Sequence, residues 1–556
     1  MLLNDLDKHK STLKGVLIIL AMVAVGGLLI VVIFKAIAFI FNAVLPLIKF
    51  LVVIGFWGGV GYFAYQYFRK NKPEEAKAGN VPDVIDPGVI RLETKSTPLT
   101  IGNPYRGVFV VGAAGSGKSE SVAVPLLSEF IRLGFAGLVY DFKFPTLAND
   151  VESYLRSKRS HLRHFYLDFN NPSQSYRVNP VSPRYLLNTS YAREFAQAII
   201  MNLAKEGIKN PDFWIRSATD LLTACIWYLK EERPEYCDIP HVFAMVTSKD
   251  TELLQLLQTN PQTEQMTMSI HNAMERGADG QVSGVIGTLQ SIIAQINTPE
   301  LMYIFGGEDF SLDVNDPENP IILTVGSYPT LVQTFAPLCS LVMTVAIKLM
   351  NQPGKHRSFF LMDEAPTVFI PGLEILPNTG RSNQVAPVIM CQDLAQLVDG
   401  YGKDKADVLF AACNTHFYGR VSSSITAERL SKQFGKEDRV YTTASRSQTG
   451  FTKTAGQSES VQERDAIKPI DFLGFEPGKF AGIAVESNKP FFIQRLMPAD
   501  RPAPAALERP QAQGSPKEYY NQVREEIKLM LSGSPERQQK EEAPQAREER
   551  PRFKGF

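Results

Sequence analysis

The sequence has no excess charge of either sign: its 556 residues carry 58 Lys and Arg against 58 Asp and Glu. No overall basic field draws it to nucleic acid, so any such binding needs a local patch or an assembled pore. Cysteine is scarce. The five residues, Cys225, Cys237, Cys339, Cys391 and Cys413, make no C-x-x-C pair, which leaves neither a structural zinc site nor a disulfide framework. They read as small buried apolar side chains in a reducing compartment. Aliphatic residues nearly vanish over 441–463, where Ser, Thr, Gln and Gly dominate, and again after Pro498. The first stretch reads as a long flexible loop. The second, 499–556, reads as a disordered tail with one short helix over 517–531.

Long apolar runs are present at the other end. Residues 16–34 and 50–68 carry no charge, and each is about long enough to cross a hydrocarbon core of roughly 30 Å. Lys8, Lys10 and Lys14 precede the first run, and Arg69, Lys70, Lys72 and Lys77 follow the second. The positive-inside rule then places both ends in the cytoplasm, as a transmembrane hairpin over 1–70. Gly55 and Gly59 form a G-x-x-x-G face for hairpin packing or for a subunit contact. A polar linker, 71–98, follows.

Residues Gly112, Ala113, Ala114, Gly115, Ser116, Gly117, Lys118 and Ser119 complete a G-x-x-x-x-G-K-S pattern. It lies between a strand-like run, 107–111, and a helix-forming run, 119–132, which is the context such a phosphate-binding loop requires. Its backbone N–H groups suit a polyphosphate, Lys118 the β/γ-phosphates and Ser119 the Mg²⁺ ion. Four apolar residues, 359–362, lead into Asp363 and Glu364. A strand ending there aims one carboxylate at Mg²⁺ and leaves the next to orient the attacking water. Asp141 and Lys143 close another strand-like run as ligand groups or as a solvated pair. The strand 386–391 ends at Gln392, whose amide either bonds a γ-phosphate or caps a helix. His416 reads as a satisfied histidine rather than a base.

Strand and helix alternate over 99–181 and again over 311–498, so these are the two parts of one α/β nucleotide-binding domain. The stretch 182–310 between them runs helix after helix at a 3.6-residue period and reads as an inserted all-α subdomain. Trp214 and Trp227 are expected to fill its core.

The apolar pair of segments, the phosphate loop, Asp141-x-Lys143, Phe213–Trp214 opening a helix, Asp363–Glu364, the run 379–382, the run 392–397 with Tyr401–Gly402, and Thr426–Ala427–Glu428 with Ser431 and Gly435 together resemble the TraG/TraD-type coupling proteins of type IV secretion. The resemblance extends to about Leu496. It implies a RecA-like P-loop domain with an all-α insertion, anchored by two spans in the bacterial inner membrane with its bulk in the cytoplasm. It further implies a homo-hexamer that hydrolyses ATP with Mg²⁺ and passes a relaxase with its single-stranded DNA to the secretion channel subunits. Carried onto this sequence, Lys118 and Ser119 bind nucleotide and metal, Asp363 holds the metal and Glu364 activates water. Arg381 matches an arginine finger reaching a neighbouring subunit, and Gln392 a γ-phosphate sensor. The chain departs from the family at Phe144–Pro145, where many members have Gly-Glu, and in the short connection between its two apolar runs. A coupling ATPase for protein effectors alone, or a nucleotide-switched membrane receptor that moves nothing, fits the same motifs.

Overall fold

Short runs rich in Val, Ile, Phe and Tyr become the strands of a nine-stranded sheet in the computed structural model. The structure describes residues 22, 26–39, 89–449, 452–508, 510 and 514–532, without the side chains of 439 and 441–459. The chain divides into two units, Met1–Val84 and Ile85–Phe556. In the first, an apolar helix spans Gly26–Phe39 and runs through Lys35, past the expected end of the first membrane segment. The expected second segment, 50–68, lies outside the described residues, as does most of the 71–98 linker.

In the second unit, β1 (Ile90–Leu92) and β2 (Leu99–Ile101) form a small antiparallel hairpin. The large sheet uses β3 (Val108–Val111), β4 (Ala136–Asp141), β5 (Arg163–Leu167), β6 (Ile321–Gly326), β7 (Ser358–Met362), β8 (Val385–Cys391), β9 (Thr415–Tyr418), β12 (Lys479–Ala484) and β13 (Phe491–Arg495), with β10 (Lys436–Thr449) and β11 (Thr452–Asp465) between β9 and β12. Their spatial order is β13-β12-β9-β3-β8-β7-β4-β6-β5. Strands β9 to β5 in this order are parallel, whereas β12 and β13 add antiparallel at one edge. Every residue of β3, β4, β6, β7 and β8 is buried, as continuous apolar strands covered on both faces must be. Phe109 and Val111 point into one core and Val108 and Val110 into the other, following the two-residue alternation of a strand.

The helices Val124–Arg132 and Thr146–Ser157 cover the second face. The first face carries the helix Val332–Met350. Among the described residues this is the one helix long and apolar enough to cross a membrane, and it is largely buried inside the protein, so it is a core helix. The stretch between β5 and β6 is helical, from Thr189–Leu203 through Phe213–Glu232 and Asp279–Ala294 to Pro299–Phe305. Its apolar side chains share one continuous core with the sheet, because Thr189–Leu203 lies along Val332–Met350. Trp227 is buried there and donates Nε1–H to Gln262, but Trp214 is 40% exposed beside Phe213. The expectation that both fill the core therefore fails for Trp214. It sits in the first turn after the Asp212 cap, at the rim of the helical layer.

Two low-aliphatic stretches also depart from expectation. Residues 441–449 and 452–463 belong to the strands of a long antiparallel hairpin, β10 with β11, paired from Lys436↔Asp465 to Thr449↔Thr452. A shortage of aliphatic residues excludes a buried face, but not a ladder whose backbone groups satisfy one another. The tail is ordered through much of its described part: 498–508 is bonded along the helix Thr146–Ser157, and the helix Pro516–Leu531 buries Val523 and Ile527. Those two side chains lie four apart and make a narrow stripe, which a composition average hides. All five cysteines are buried thiols.

Candidate functional site

The loop after β3 turns back over its own strand. Gly112 N–H donates to the Cys391 carbonyl at 3.2 Å and Ala113 N–H to that of Arg420 at 2.6 Å, which ties the loop to β8 and to the end of β9. Gly117 is at φ +93°, and a Cβ there would stand 2.7 Å from the Gly478 backbone nitrogen. No other residue fits. Gly478 N–H in turn donates to Ser116 O at 2.9 Å. The helix after the loop opens as a π-helical turn, Ser119–Ala123, before Val124–Arg132. Pro125 has no N–H to donate to Ser121, and Val124 N–H reaches Ser119 O instead.

Lys118 is buried and donates to the Gly112 carbonyl. Burial pushes its pKa down, against the nearby carboxylates of Glu364 and Asp363, which push it up. Ser119 Oγ lies 3.4 Å from Asp363 Oδ1. Burial raises the Asp363 carboxyl, with Lys118 and Lys143 opposing. Burial also raises Glu364, opposed by Lys118 and by Gln392, whose backbone N–H donates to Glu364 Oε1 at 3.2 Å. The Ser116 hydroxyl is buried without a partner among the described residues, a spare donor within the loop.

These groups surround one cavity of about 670 Å³. Its walls hold Ala113 to Ser119, Asp363, Glu364 and Gln392, together with Lys95, Lys143, Pro477, Gly478, Arg495, Met497 and Pro498. Gly112 lies behind the loop and meets the cavity through Lys118. Lys143 was recognisable as a charge at a strand end. The other cationic and tail residues carry no local signal, because they arrive from β13 and from the turn after β1.

Three sequence candidates lie elsewhere or do other work. Arg381 is exposed on the turn before β8, while Gln392 follows that strand's far end. The strand's rise separates them by about 20 Å, so Arg381 does not join its own chain's cavity. Asp141 is fully buried and accepts N–H bonds from Lys143 (3.2 Å), Leu147 (2.8 Å) and Ala148 (3.1 Å). It caps the helix Thr146–Ser157. Burial pushes its carboxyl up to about 7, against those donors. His416 donates Nε2–H to Cys413 O at 2.7 Å, and burial lowers its pKa to about 4, leaving a neutral core imidazole.

Two motif stretches hold structure together. Asp393 accepts Ala395 N–H at 2.7 Å as the cap of the helix Leu394–Tyr401, and Thr426 Oγ1–H at 3.0 Å. Ser431 Oγ–H donates to Ile467 O.

A phosphate loop beside a strand-end acid pair serves many chemistries, so family membership has to come from longer stretches of chain. The family model for type IV secretory system conjugative DNA transfer matches residues 71–497. The chain belongs to this family. No curated protein matches it in sequence. Among solved structures, the bacterial conjugative coupling protein TrwBdeltaN70 in its unbound form superposes with a TM-score of 0.58 at 16% identity, covering 75% of this chain and 90% of that one. TrwB with the non-hydrolysable ATP analogue ADPNP gives 0.56 at 16% identity over 74% and 89%. TrwB with ADP and Mg²⁺ gives 0.55 at 16% over 72% and 86%. At such identity the likeness is one of fold: a mixed α/β architecture around a large parallel sheet.

Proposed function

We propose that this coupling-family chain is an ATPase that takes a relaxase with its attached single-stranded DNA and passes both to a type IV secretion channel. The observation that carries this reading is the meeting of Lys118, Ser119, Asp363, Glu364 and Gln392 around one cavity at the carboxyl ends of parallel strands. The TrwB complexes with ADPNP and with ADP and Mg²⁺ support the choice of nucleotide and metal.

In this reading the loop N–H groups bind the phosphates, and Lys118 exchanges the Gly112 carbonyl for the β/γ-phosphate oxygens. Ser119 and Asp363 would hold Mg²⁺, a hard cation that takes one or two protein oxygens and leaves its other positions to phosphate and water. Bound there, the ion neutralises charge growing on the phosphate oxygens. Glu364, anchored by the Gln392 N–H, orients the attacking water and accepts its proton. Its raised pKa brings it closer to the working pH, as a general base requires. The Gln392 side-chain amide bonds the γ-phosphate. Arg381 enters a neighbouring copy's cavity, which makes a homo-hexameric ring part of the proposal.

The apolar helix Gly26–Phe39 and the uncharged run 50–68 support a two-span inner-membrane anchor with the bulk of the chain in the cytoplasm. Residues 99–181 and 311–498 are then the motor, and 182–310 faces the substrate.

The test is ATP hydrolysis by the full chain with and without single-stranded DNA. Stimulation that Glu364→Gln removes is the expected result. Stimulation by a protein substrate alone would favour effector transport. Substrate transfer that persists in Lys118→Ala with hydrolysis abolished would favour a receptor that pumps nothing.

A further inference from the structure

The tail leaves β13 at the nucleotide cavity, which Met497 and Pro498 help to line. Arg501 then holds two carboxylates at once. Its guanidinium pairs with Glu120 through Nη1 and Nη2, each at 3.1 Å, and with Asp150 through Nε at 3.0 Å and Nη2 at 3.1 Å. Glu120 follows Ser119 directly and itself lines the cavity. Asp150 sits on the helix Thr146–Ser157, where burial raises its carboxyl and Arg501 opposes the rise. On both sides of Arg501, residues 500–508 are bonded to the body of the protein: Tyr154 Oη–H to Asp500 O, Ala505 N–H to Ser153 Oγ, Arg156 to Ala506 O and Tyr166 Oη–H to Glu508 O. Leu507 packs with Phe144 and Tyr166.

The helix Pro516–Leu531 ends the described tail on the helical layer. Tyr519 and Tyr303 flank the Arg177 guanidinium, at 5.4 and 4.4 Å from the ring centroids. Glu526 meets His241 at 2.9 Å, and Val523 and Ile527 are buried. One segment therefore touches the nucleotide cavity at its start and the helical layer at its end.

We propose that Arg501 is a positioning residue of the nucleotide site, acting through Glu120, and that the strap 498–508 couples nucleotide binding to seating of the terminal helix Pro516–Leu531. The inference rests on the cavity binding nucleotide, as proposed above. A bound polyphosphate adds negative charge beside the Glu120–Arg501 pair. The guanidinium screens Glu120 from it and is itself drawn toward the cavity, so nucleotide and seated strap favour each other. Coupling of this kind is reciprocal: whatever loosens the strap weakens nucleotide binding, and nucleotide tightens the strap.

Two measurements on the full chain test this, both with a non-hydrolysable ATP analogue and Mg²⁺. In amide hydrogen exchange, the analogue should slow exchange over 498–508 and over 516–531, and Lys118→Ala should abolish the slowing. In titrations, Arg501→Ala should weaken binding about fivefold, the lower end of usual coupling factors because Arg501 is partly exposed, and Arg501→Lys should restore part of it. Ile527→Asp, which puts a charge at a buried contact of the helix and touches no residue of the cavity wall, should weaken binding in the same direction. Exchange over 516–531 that ignores the analogue, or wild-type affinity in both Arg501→Ala and Ile527→Asp, overturns the coupling while leaving the nucleotide site standing. Failure of the wild-type chain to bind the analogue overturns both.

Discussion

The two ends of β8 meet different surroundings. At the carboxyl end, Gln392 faces the cavity and its N–H fixes Glu364. At the amino end, about 20 Å away, Arg381 lies exposed on a turn. One copy of the chain thus assembles the groups proposed to bind phosphate, metal and water, yet keeps the proposed transition-state cation at the far end of β8 from its own cavity. In the reading proposed above, such a division would make turnover depend on contact between copies, which a heterologous ring would supply to every site.

The largest effect should come from the amino end. Arg381→Ala should bind nucleotide as the wild type does and lose about 10³–10⁵ in turnover, the range of a removed arginine finger. Mixing it with Lys118→Ala should restore part of the rate, because one variant keeps an intact cavity and the other an intact finger. A near-normal rate for Arg381→Ala, or no recovery on mixing, would break the contrast between the two ends.

At the carboxyl end, Glu364→Gln should lower turnover by about 10²–10⁴ with binding retained, as loss of a general base does. The same group sets a pH limb. Its pKa is raised by burial, so the rate should climb with pH through a value above the ordinary carboxylate 4.5. A limb at or below that value would argue against Glu364 as the base.

Asp393→Ala sharpens the comparison from beside the cavity. It removes a helix cap and the Thr426 bond, so it should cost about 1 kcal/mol in denaturant unfolding with little change in turnover. The smallest effect concerns the strap. His241 has both ring nitrogens on carboxylates, Asp238 at 2.7 Å and Glu526 at 2.9 Å, with Tyr236 stacked on it; the ring of Tyr519 and the guanidinium of Arg177 lie on the same interface. Burial opposes the charged imidazole, but the two carboxylates win and its pKa is raised above 6.5. A raised histidine stabilises fully below its unfolded pKa and ceases to do so as pH rises through the folded one. Once exchange rates are corrected for the intrinsic pH dependence, opening of 516–531 should increase above that value, and His241→Gln should flatten the trend.

Much of the site was legible because its parts are contiguous. A loop and the helix it starts, or a strand and the two acids after it, are placed together by local geometry alone. Asp141 looked equally ligand-like, being an acid at a strand end. The turn through Phe144–Pro145 brings the start of the next helix onto it, and its carboxylate is spent on three backbone N–H groups. The tail misled in the opposite way. Its average composition is that of a disordered segment, but Arg501, Leu507, Tyr519 and Ile527 each find a partner surface contributed by distant residues.

The amino-acid sequence by itself determined the phosphate loop, the Asp363–Glu364 pair and the alternation that makes an α/β sheet, since each depends on residues within a few positions of one another. Tertiary structure decided the rest. The order β9-β3-β8-β7-β4 places β3 between strands whose paired residues come 280 and 307 positions later (Val108 with Val388 and with Thr415), and so brings Glu364 and Gln392 to Lys118. The direction of β8 leaves Arg381 at the amino end of that strand, and β13 delivers Met497 and the strap to the cavity. Strand neighbours in a parallel sheet are chosen by packing of buried faces and by crossover handedness, neither of which is written in any short stretch of chain.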